Sequence, residues 1–189
     1  MFAVLTGAPN VGKSTTIEML GSLGCTVMNE IAEQVINEGE HKPWLGDSEQ
    51  LAFQVEVANR QAAAEARLGH INDVVYLDRG IADAIAYRLI YGRSLTDLHL
   101  NMQAQHYSAV FVFEPVDGWD NNGVRYEDPD FARAMTPVMR RVYESFGVPV
   151  VNVPCMSKQE RTQFIMNCMT KVGASAPVGV SSPLLRMAA

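Results

Sequence analysis

Five short runs of apolar residues are separated along the chain by longer segments with a helical pattern. The runs contain β-branched and aromatic residues and few polar ones, which is typical of strands in a parallel sheet covered by helices on both faces. They predict strands at Phe2–Thr6, Cys25–Asn29, Val74–Asp78, Ala109–Phe113 and Pro149–Val153.

The segments between the runs carry apolar residues every three or four positions, as amphipathic helices do. They predict helices over about 13–23, from about 30, and over about 48–68, 81–91, 95–106, 131–146 and 157–171. In the long third helix the expected buried stripe is Leu51, Val55, Ala58 and Ala62. The alternation predicts a three-layer α/β fold, with a five-stranded parallel sheet, helices on both faces and right-handed crossovers.

Two segments interrupt this regular alternation. Residues 115–130, PVDGWDNNGVRYEDPD, are polar and rich in turn signals, and we expect a lid there. Residues 173–189 are rich in small residues and are expected to form a flexible tail. The remaining chain, residues 1–172, predicts a single domain. Pro137 lies inside a helical pattern and should kink or split that helix.

A phosphate-binding pattern, G-x-x-x-x-G-K-[ST], follows the first predicted strand in the stretch GAPNVGKST. Its glycines allow backbone angles that turn N–H groups toward an anion, and the next helix points its N-terminus at the same place. The lysine suits the β- and γ-phosphates, and the serine hydroxyl suits Mg²⁺. A glycine-rich turn with an unrelated lysine is the alternative, but a strand before and a helix after the loop favour a P-loop NTPase fold that binds a nucleoside triphosphate. The candidate nucleotide-binding residues are Gly7, Ala8, Pro9, Asn10, Val11, Gly12, Lys13, Ser14 and Thr15.

An aspartate ends the third predicted strand, in VVYLDRG. In such a sheet this position lies beside the phosphate loop, where Asp78 can hold Mg²⁺ together with Ser14. The alternative is that Asp78 caps the following helix. Arg79 could stabilise charge on the transferred phosphoryl group, or it could form a structural ion pair.

Two further residues are candidates for the transfer chemistry. Glu30 follows the second strand in VMNE, so it faces the same crevice as the loop and could accept the proton of an attacking hydroxyl. Alternatively, its charge favours the N-terminus of the next helix. Arg125 lies in the predicted lid, from which it could reach the γ-phosphate, or it could be a surface arginine.

An acceptor site is suggested by polar and aromatic residues on two predicted helices. Asp83 and Tyr87 are four residues apart, so they share a helix face and could either line a pocket or form a solvated pair. Phe53, Gln54 and Arg60 on the long helix are similar candidates, because the Gln54 amide can bond a planar amide or base with both its ends.

The composition restricts the possible partners and surroundings of the protein. The chain has 189 residues, 48% of them hydrophobic and 19% charged, which is enough to build one sizeable core. A net charge of −6 argues against a general nucleic-acid-binding surface. Three cysteines, without metal-binding spacing, indicate reduced thiols in a cytoplasmic protein. The sequence shows no signal peptide and no membrane span.

Four motifs together resemble a known protein group. GAPNVGKST, VMNE, LDRGIADAIAY and NNGVRYED occur in this order and resemble the AAA-domain ATPases related to ribosylnicotinamide kinase, over about residues 2–170. The combination D-R-G-x-x-D-x-x-A-Y with G-V-R is more specific than the P-loop alone. The resemblance implies a P-loop kinase-like sheet and binding of ATP with Mg²⁺.

The chain is more loosely similar to deoxynucleoside kinases. These carry a glutamate base at the end of strand two, an acid–arginine pair at the end of strand three, and a Phe-Gln pair on a substrate-lining helix. Glu30, Asp78–Arg79 and Phe53–Gln54 fall in the matching places, which implies that Glu30 is the base. Asp78 departs from the pattern, since that family usually has glutamate there.

These features predict an ATP- and Mg²⁺-dependent kinase with a nucleoside- or nucleotide-like acceptor. Glu30 would deprotonate the acceptor hydroxyl, while Lys13, Arg79 and Arg125 would stabilise transition-state charge. One alternative is a nucleic-acid kinase that acts on a 5′-hydroxyl or a hydroxymethylated base in DNA, although the acidic balance counts against it. Another is a regulatory NTP-hydrolysing switch with a protein partner. The sequence carries no signal that selects ATP over GTP or sets an oligomeric state.

Overall fold

The structure is a computed structural model that describes residues 1–95, 107–114 and 129–175. In this part of the chain the strands are β1 Phe2–Gly7, β2 Thr26–Met28, β3 Val75–Asp78, β4 Tyr107–Phe113 and β5 Val150–Val153. The helices are α1 Lys13–Ser22, α2 Ile31–Glu38, α3 Asp47–Leu68, α4 Asp83–Ile90, α5 Pro129–Ser145 and α6 Lys158–Ser175, and a short 3₁₀ helix, Pro43–Leu45, precedes α3.

The strands form one parallel sheet in the order β2-β3-β1-β4-β5. β1 is the central strand: Leu5 lies beside Asp78 of β3, and Gly7 lies beside Phe113 of β4. From β1 the chain continues to β2 on one side of the sheet, whereas from β4 it continues to β5 on the other side. The crevice beyond the carboxyl end of β1 is therefore the place where such sheets bind ligands.

Helices cover both faces of the sheet, which confirms the three-layer prediction. α1 and α6 pack together on one face, over a core that includes Leu5, Phe111 and Ile165. α2 to α5 cover the other face, over a core that includes Val4 and Leu77. Val4 and Leu5 face opposite layers because successive strand side chains point to opposite sides of a sheet.

The predicted strands are all present, with ends that differ by at most two residues. The predicted helix at 95–106 lies outside the described residues, apart from residue 95, which is not helical. The predicted lid also lies outside them, except for its last two residues, which begin α5. α6 continues to Ser175, three residues into the predicted tail.

α5 runs through Pro137 as one helix, so the helix is not split there, and the alternative of a kink stays a prediction. Proline removes a backbone donor from the helix interior. However, α5 also buries Met135, Met139 and Tyr143 against the sheet. We attribute the continuity of the helix to this packing, which acts on both sides of the proline.

The buried face of α3 differs from the predicted stripe. Of the four expected residues, only Ala58 is fully buried, whereas Leu51, Val55 and Ala62 are partly buried. The buried residues of α3 are mostly polar: Gln50, Gln54, Ala58, Gln61, Ala64 and Glu65. Apolar periodicity failed here because this face of α3 meets polar groups at the edge of the sheet, not only the apolar core.

Two expectations from composition can be compared with the structure. All three cysteines, Cys25, Cys155 and Cys168, are free thiols. Among the helices described, none combines the length and the apolar character needed to cross a membrane.

Candidate active site

The loop of residues 8–12 joins β1 to α1 and contains two left-handed backbone conformations. Asn10 has a φ of 60° and Gly12 has a φ of 90°. A Cβ at Gly12 would also lie 2.5 Å from Nη2 of Arg161, so that guanidinium would have to shift. Since α1 starts at Lys13, the N–H groups of its first turn point into the loop. The loop therefore meets the backbone requirements for holding phosphate groups.

Side chains in the loop and in the first turn of α1 differ in whether they face the interior or the surface. Lys13 is buried, and its Nζ donates a hydrogen bond to the carbonyl oxygen of Ala8 at 2.7 Å. Pro9 lines the cavity described below. By contrast, Thr15 is exposed, and its hydroxyl donates to the carbonyl oxygen of Gly12 at 3.0 Å. The loop thus holds the lysine amine inside and turns the threonine to the surface.

Asp78, the last residue of β3, is almost fully buried beside the loop. Burial raises the pKa of its carboxyl group, and the charge of Glu30 raises it further. Lys13, Arg79 and a hydrogen bond with Ser14 act in the opposite direction. Within the described part of the chain, Oδ1 of Asp78 has no hydrogen-bond partner. A serine hydroxyl beside a carboxylate with an unused oxygen is a donor set that fits Mg²⁺.

Arg79 follows Asp78 and has a left-handed backbone conformation, with a φ of 71°. Its Nε donates to Oε1 of Glu30 at 2.9 Å, and its Nη1 donates to the carbonyl oxygen of Gly7 at 3.1 Å. The guanidinium carbon also lies 5.5 Å from the ring centre of Tyr87. Arg79 therefore connects the phosphate loop with the end of β2 and with α4.

The electrostatic surroundings of Arg79 hold it in the charged form. Nη1 donates a second hydrogen bond, to Oδ2 of Asp83 at 3.1 Å. Burial acts against the charged form, but Tyr87 and the carboxylates of Glu30, Asp83 and Asp78 raise the pKa of Arg79 well above its ordinary value. None of these contacts uses Nη2.

Glu30 is the N-cap residue of α2 but makes no side-chain hydrogen bond to cap that helix. Its carboxylate is buried and is directed to Arg79. This geometry supports a role in the site more than a role at the start of α2.

Asp83 is buried rather than part of a solvated pair. Its Oδ1 accepts hydrogen bonds from the hydroxyls of Thr6 at 2.8 Å and Tyr143 at 2.7 Å, while Oδ2 accepts from Arg79. These contacts join β1, α4 and α5 around one carboxylate. They suit Asp83 to orient Arg79, and its predicted contact with a substrate stays a prediction.

A cavity of about 140 Å³ lies between α2, α3, α4 and the turn that carries Arg79. Glu30, Phe53, Gln54, Asp83 and Tyr87 all line it. Oε1 of Gln54 is buried and, among the described residues, has no hydrogen-bond partner. The structure thus collects most of the predicted acceptor residues around one space next to the phosphate loop.

Two predicted site residues are not brought to this cavity. Arg60 lies outside its lining and forms ion pairs with Glu56 and Glu38 on the surface of α3 and α2. Arg125 lies outside the described residues.

One residue at the loop was missed by sequence reasoning. Arg161 of α6 donates through Nη1 to the carbonyl oxygen of Val11 at 3.4 Å, and its guanidinium carbon lies 5.8 Å from the ring centre of Phe113. Burial lowers its pKa. No local signal could have identified it, because about 150 residues separate it from the loop that it contacts.

Comparison with known proteins gives one family match. A family model described as "AAA domain" matches residues 2–161. No curated protein sequence matches the chain significantly.

Several solved structures share the fold. Deoxyadenosine kinase from M. mycoides with bound dATP has a TM-score of 0.60 and 12% identity, and the alignment covers 90% of this chain and 99% of that one. NadR in complex with NAD and AMP-PNP has a TM-score of 0.67 and 14% identity over 96% of this chain, which spans about half of NadR (51%). Thymidylate kinase from Candida albicans has a TM-score of 0.55 and 14% identity, with coverages of 90% and 91%. At these identities the likeness concerns the fold alone, which is the predicted P-loop NTPase fold.

Proposed function

The chain belongs to the AAA-domain family, and from this premise we propose that it is an ATP- and Mg²⁺-dependent kinase. Its acceptor would be the hydroxyl of a nucleoside- or nucleotide-like molecule. The observation that carries the proposal is the position of Arg79, which contacts Gly7, the residue before the phosphate loop, on one side and Glu30 of the cavity on the other. A residue between donor and acceptor sites is suited to phosphoryl transfer, because catalysis there depends on positioning and charge stabilisation.

The nucleotide side of the site is formed by the loop, Lys13, Ser14 and Asp78. The loop N–H groups and Lys13 would bind the phosphates, since both present positive charge to an anion. Ser14 and Asp78 would hold Mg²⁺, and their hydrogen bond places hydroxyl and carboxylate oxygens next to each other. The bound ion supplies positive charge that stabilises charge developing on the phosphate oxygens.

The acceptor side is formed by Glu30 and the cavity. The ion pair with Arg79 orients the Glu30 carboxylate, which would accept the proton of the attacking hydroxyl. Phe53 and Tyr87 provide aromatic walls, and the buried Oε1 of Gln54 offers an acceptor for an N–H donor. This combination suits a planar heterocycle with an amino or amide group.

Arg79 would stabilise the charge of the phosphoryl group in transit. Its guanidinium is held between the carbonyl oxygen of Gly7 and two carboxylates, and its Nη2 is used by none of these contacts. Such a fixed cation acts without reorganisation during the reaction. A similar contribution from Arg125 remains a sequence-based proposal.

The test is ADP release from MgATP in the presence of an acceptor panel. The panel contains nucleosides, nucleoside monophosphates, nicotinamide riboside, and DNA with a 5′-hydroxyl or hydroxymethylated bases. We expect acceptor-dependent turnover that Glu30→Gln lowers about 100-fold or more, the range for loss of a general base. Glu38→Gln is the matched control, because Glu38, at the other end of α2, also pairs with an arginine but lies outside the cavity.

Other outcomes separate the alternatives. Turnover that requires DNA would replace a small acceptor by the nucleic-acid kinase. Slow hydrolysis that is independent of every acceptor and equal in Glu30→Gln would contradict the kinase and favour the regulatory switch.

A further inference from the structure

Three buried polar side chains lie behind the turn that carries Arg79, and the proposed mechanism does not use them. Gln61 and Glu65 come from α3, and Tyr107 comes from β4. We call these three side chains the Glu65 cluster, and residues 79–81 the Arg79 turn.

The Glu65 cluster binds backbone groups at both ends of the Arg79 turn. At one end, Nε2 of Gln61 donates to the carbonyl oxygen of Arg79 at 3.1 Å. At the other end, the backbone N–H of Ile81 donates to Oη of Tyr107 at 2.8 Å and to Oε1 of Glu65 at 3.0 Å. These bonds act on the backbone, so they set where the Arg79 side chain begins.

The turn needs such support because its conformation is unfavourable for a residue with a side chain. Arg79 has a φ of 71°, in the left-handed region that non-glycine residues seldom occupy. Gly80, the next residue, is packed tightly: a Cβ there would lie 2.8 Å from the hydroxyl oxygens of both Tyr107 and Tyr143. The turn therefore rests directly on the tyrosine of the cluster.

The donors to Glu65 are neutral groups: the Tyr107 hydroxyl, the Gln61 amide and the backbone N–H of Ile81. Tyr107 and Gln61 each donate to Glu65 at 2.8 Å. No arginine or lysine of the described chain pairs with Glu65. Burial raises the pKa of Glu65, which is the cost expected for a carboxyl group without a cation. The cluster therefore holds the turn without pairing another carboxylate with the Arg79 guanidinium.

We propose that the Glu65 cluster positions Arg79 for phosphoryl transfer by holding the Arg79 turn in its left-handed conformation. The inference rests on the role proposed above for Arg79. Gln61, Glu65 and Tyr107 are positioning residues, since they act through the backbone of Arg79 and not on the phosphate. Their loss should weaken interactions made with the phosphoryl group in transit, and should leave ordinary nucleotide binding intact.

The test compares the affinity of the full chain for MgADP alone with its affinity for MgADP plus aluminium fluoride, which imitates the phosphoryl group in transit. In Tyr107→Phe the tightening caused by aluminium fluoride should fall at least about fivefold, whereas the affinity for MgADP alone stays within about twofold. Gln61→Met, which loses the bond to the Arg79 carbonyl, should act in the same direction. This measurement needs no acceptor, so it is independent of the acceptor panel.

Tyr76→Phe is the matched control. Tyr76 lies on β3 and is as buried as Tyr107, but it faces the opposite core layer and has no part in the cluster. It removes a buried tyrosine hydroxyl outside the cluster and should keep the full effect of aluminium fluoride. Glu65→Gln keeps one acceptor oxygen, which can serve Ile81 and Tyr107 as Oε1 does, so it should retain more of the effect than Glu65→Leu.

Arg79→Ala supplies the decisive comparison. If the cluster acts through Arg79, adding Tyr107→Phe to Arg79→Ala should cause no further loss. The inference is overturned if Tyr107→Phe and Tyr76→Phe behave alike, if MgADP binding falls equally, or if the two losses add. It is also overturned if aluminium fluoride does not tighten MgADP binding in the wild type. If no acceptor of the panel is phosphorylated but aluminium fluoride acts as expected, the proposed function is rejected, whereas the positioning of Arg79 by the Glu65 cluster is not.

Discussion

Two glutamate–arginine pairs join the two ends of α2 to neighbouring elements. At the N-terminal end Glu30 pairs with Arg79, and the two side chains are 8% and 6% exposed. At the C-terminal end Glu38 pairs with Arg60, and the corresponding values are 48% and 32%. The same residue types therefore form a buried pair beside the cavity and a solvent-exposed pair outside it.

The difference shows why loss of a buried ion pair affects stability more than loss of an exposed one. An exposed pair gains little in water and is screened by salt. A buried pair has lost its hydration, so removing one partner leaves a charge without compensation. Because Arg79 also contacts Asp83 and Gly7, one substitution there disturbs several elements. The following predictions test this contrast, beginning with the largest effect.

Arg79→Ala should cause the largest loss in both activity and stability. Removal of a transition-state arginine lowers turnover by about 10³-fold or more. Breaking the buried pair should also cost about 3 to 5 kcal/mol of unfolding free energy, because Glu30 and Asp83 stay buried. Turnover and urea unfolding measure the two effects. A loss of stability no greater than that of Arg60→Ala would remove the contrast between the pairs.

Asp78→Asn should separate activity from stability. The carboxylate is buried, has an oxygen without a partner among the described residues, and lies in the field of Glu30. Removing its charge should lower Mg²⁺-dependent turnover by about 100-fold, yet leave the melting temperature at or above the wild-type value. A clear decrease in melting temperature, measured without nucleotide, would show that Asp78 mainly stabilises the fold.

Glu65→Gln should change how stability depends on pH. Burial raises the folded-state pKa of Glu65, and Tyr107, Tyr143 and Asp83 face it from β4, α5 and α4. The folded protein therefore keeps this proton to higher pH than the unfolded chain, whose glutamate pKa is about 4.3. Its contribution to stability is fully present below that value and is lost as pH rises through the raised pKa.

The glutamine variant cannot titrate, so part of the decline in unfolding free energy above about pH 4 should disappear. Urea unfolding of the two proteins at a series of pH values measures this. Parallel curves would contradict the prediction.

Arg60→Ala should have the smallest effect. Its pairs with Glu38 and Glu56 are on the surface, outside the cavity. Turnover should stay within about twofold of the wild type, and the melting temperature should be nearly unchanged, at low salt and at high salt. A large rise in the KM of any acceptor would instead support the sequence-based prediction that Arg60 binds substrate.

The sequence alone was sufficient for the features that depend on local pattern. Apolar runs identified the strands, and G-x-x-x-x-G-K-[ST] identified the loop after β1. Because parallel strands end at a common edge, the sequence also placed Glu30 and Asp78 near that loop. Each of these inferences uses only residue spacing and the rule that ligands bind beyond the carboxyl ends of parallel strands.

Contacts between distant segments were decided only by the tertiary structure. The orientation of α3 buries Gln54, Gln61 and Glu65, which the apolar pattern of the helix did not predict. The same orientation places Arg60 at the surface. The approach of α6 brought Arg161 to the loop. Such contacts depend on how whole elements pack, because a side chain reaches a partner many residues away only when the layers between them are in place.

The pairing of Glu30 with Arg79 illustrates both contributions. The sequence determined that each residue follows a strand and so lies at the carboxyl edge of the sheet. Only the adjacent positions of β2 and β3, together with the left-handed backbone of Arg79, bring the two side chains to 2.9 Å. The physical reason is that spacing along the chain selects the element on which a residue lies, whereas packing of the elements selects its partner.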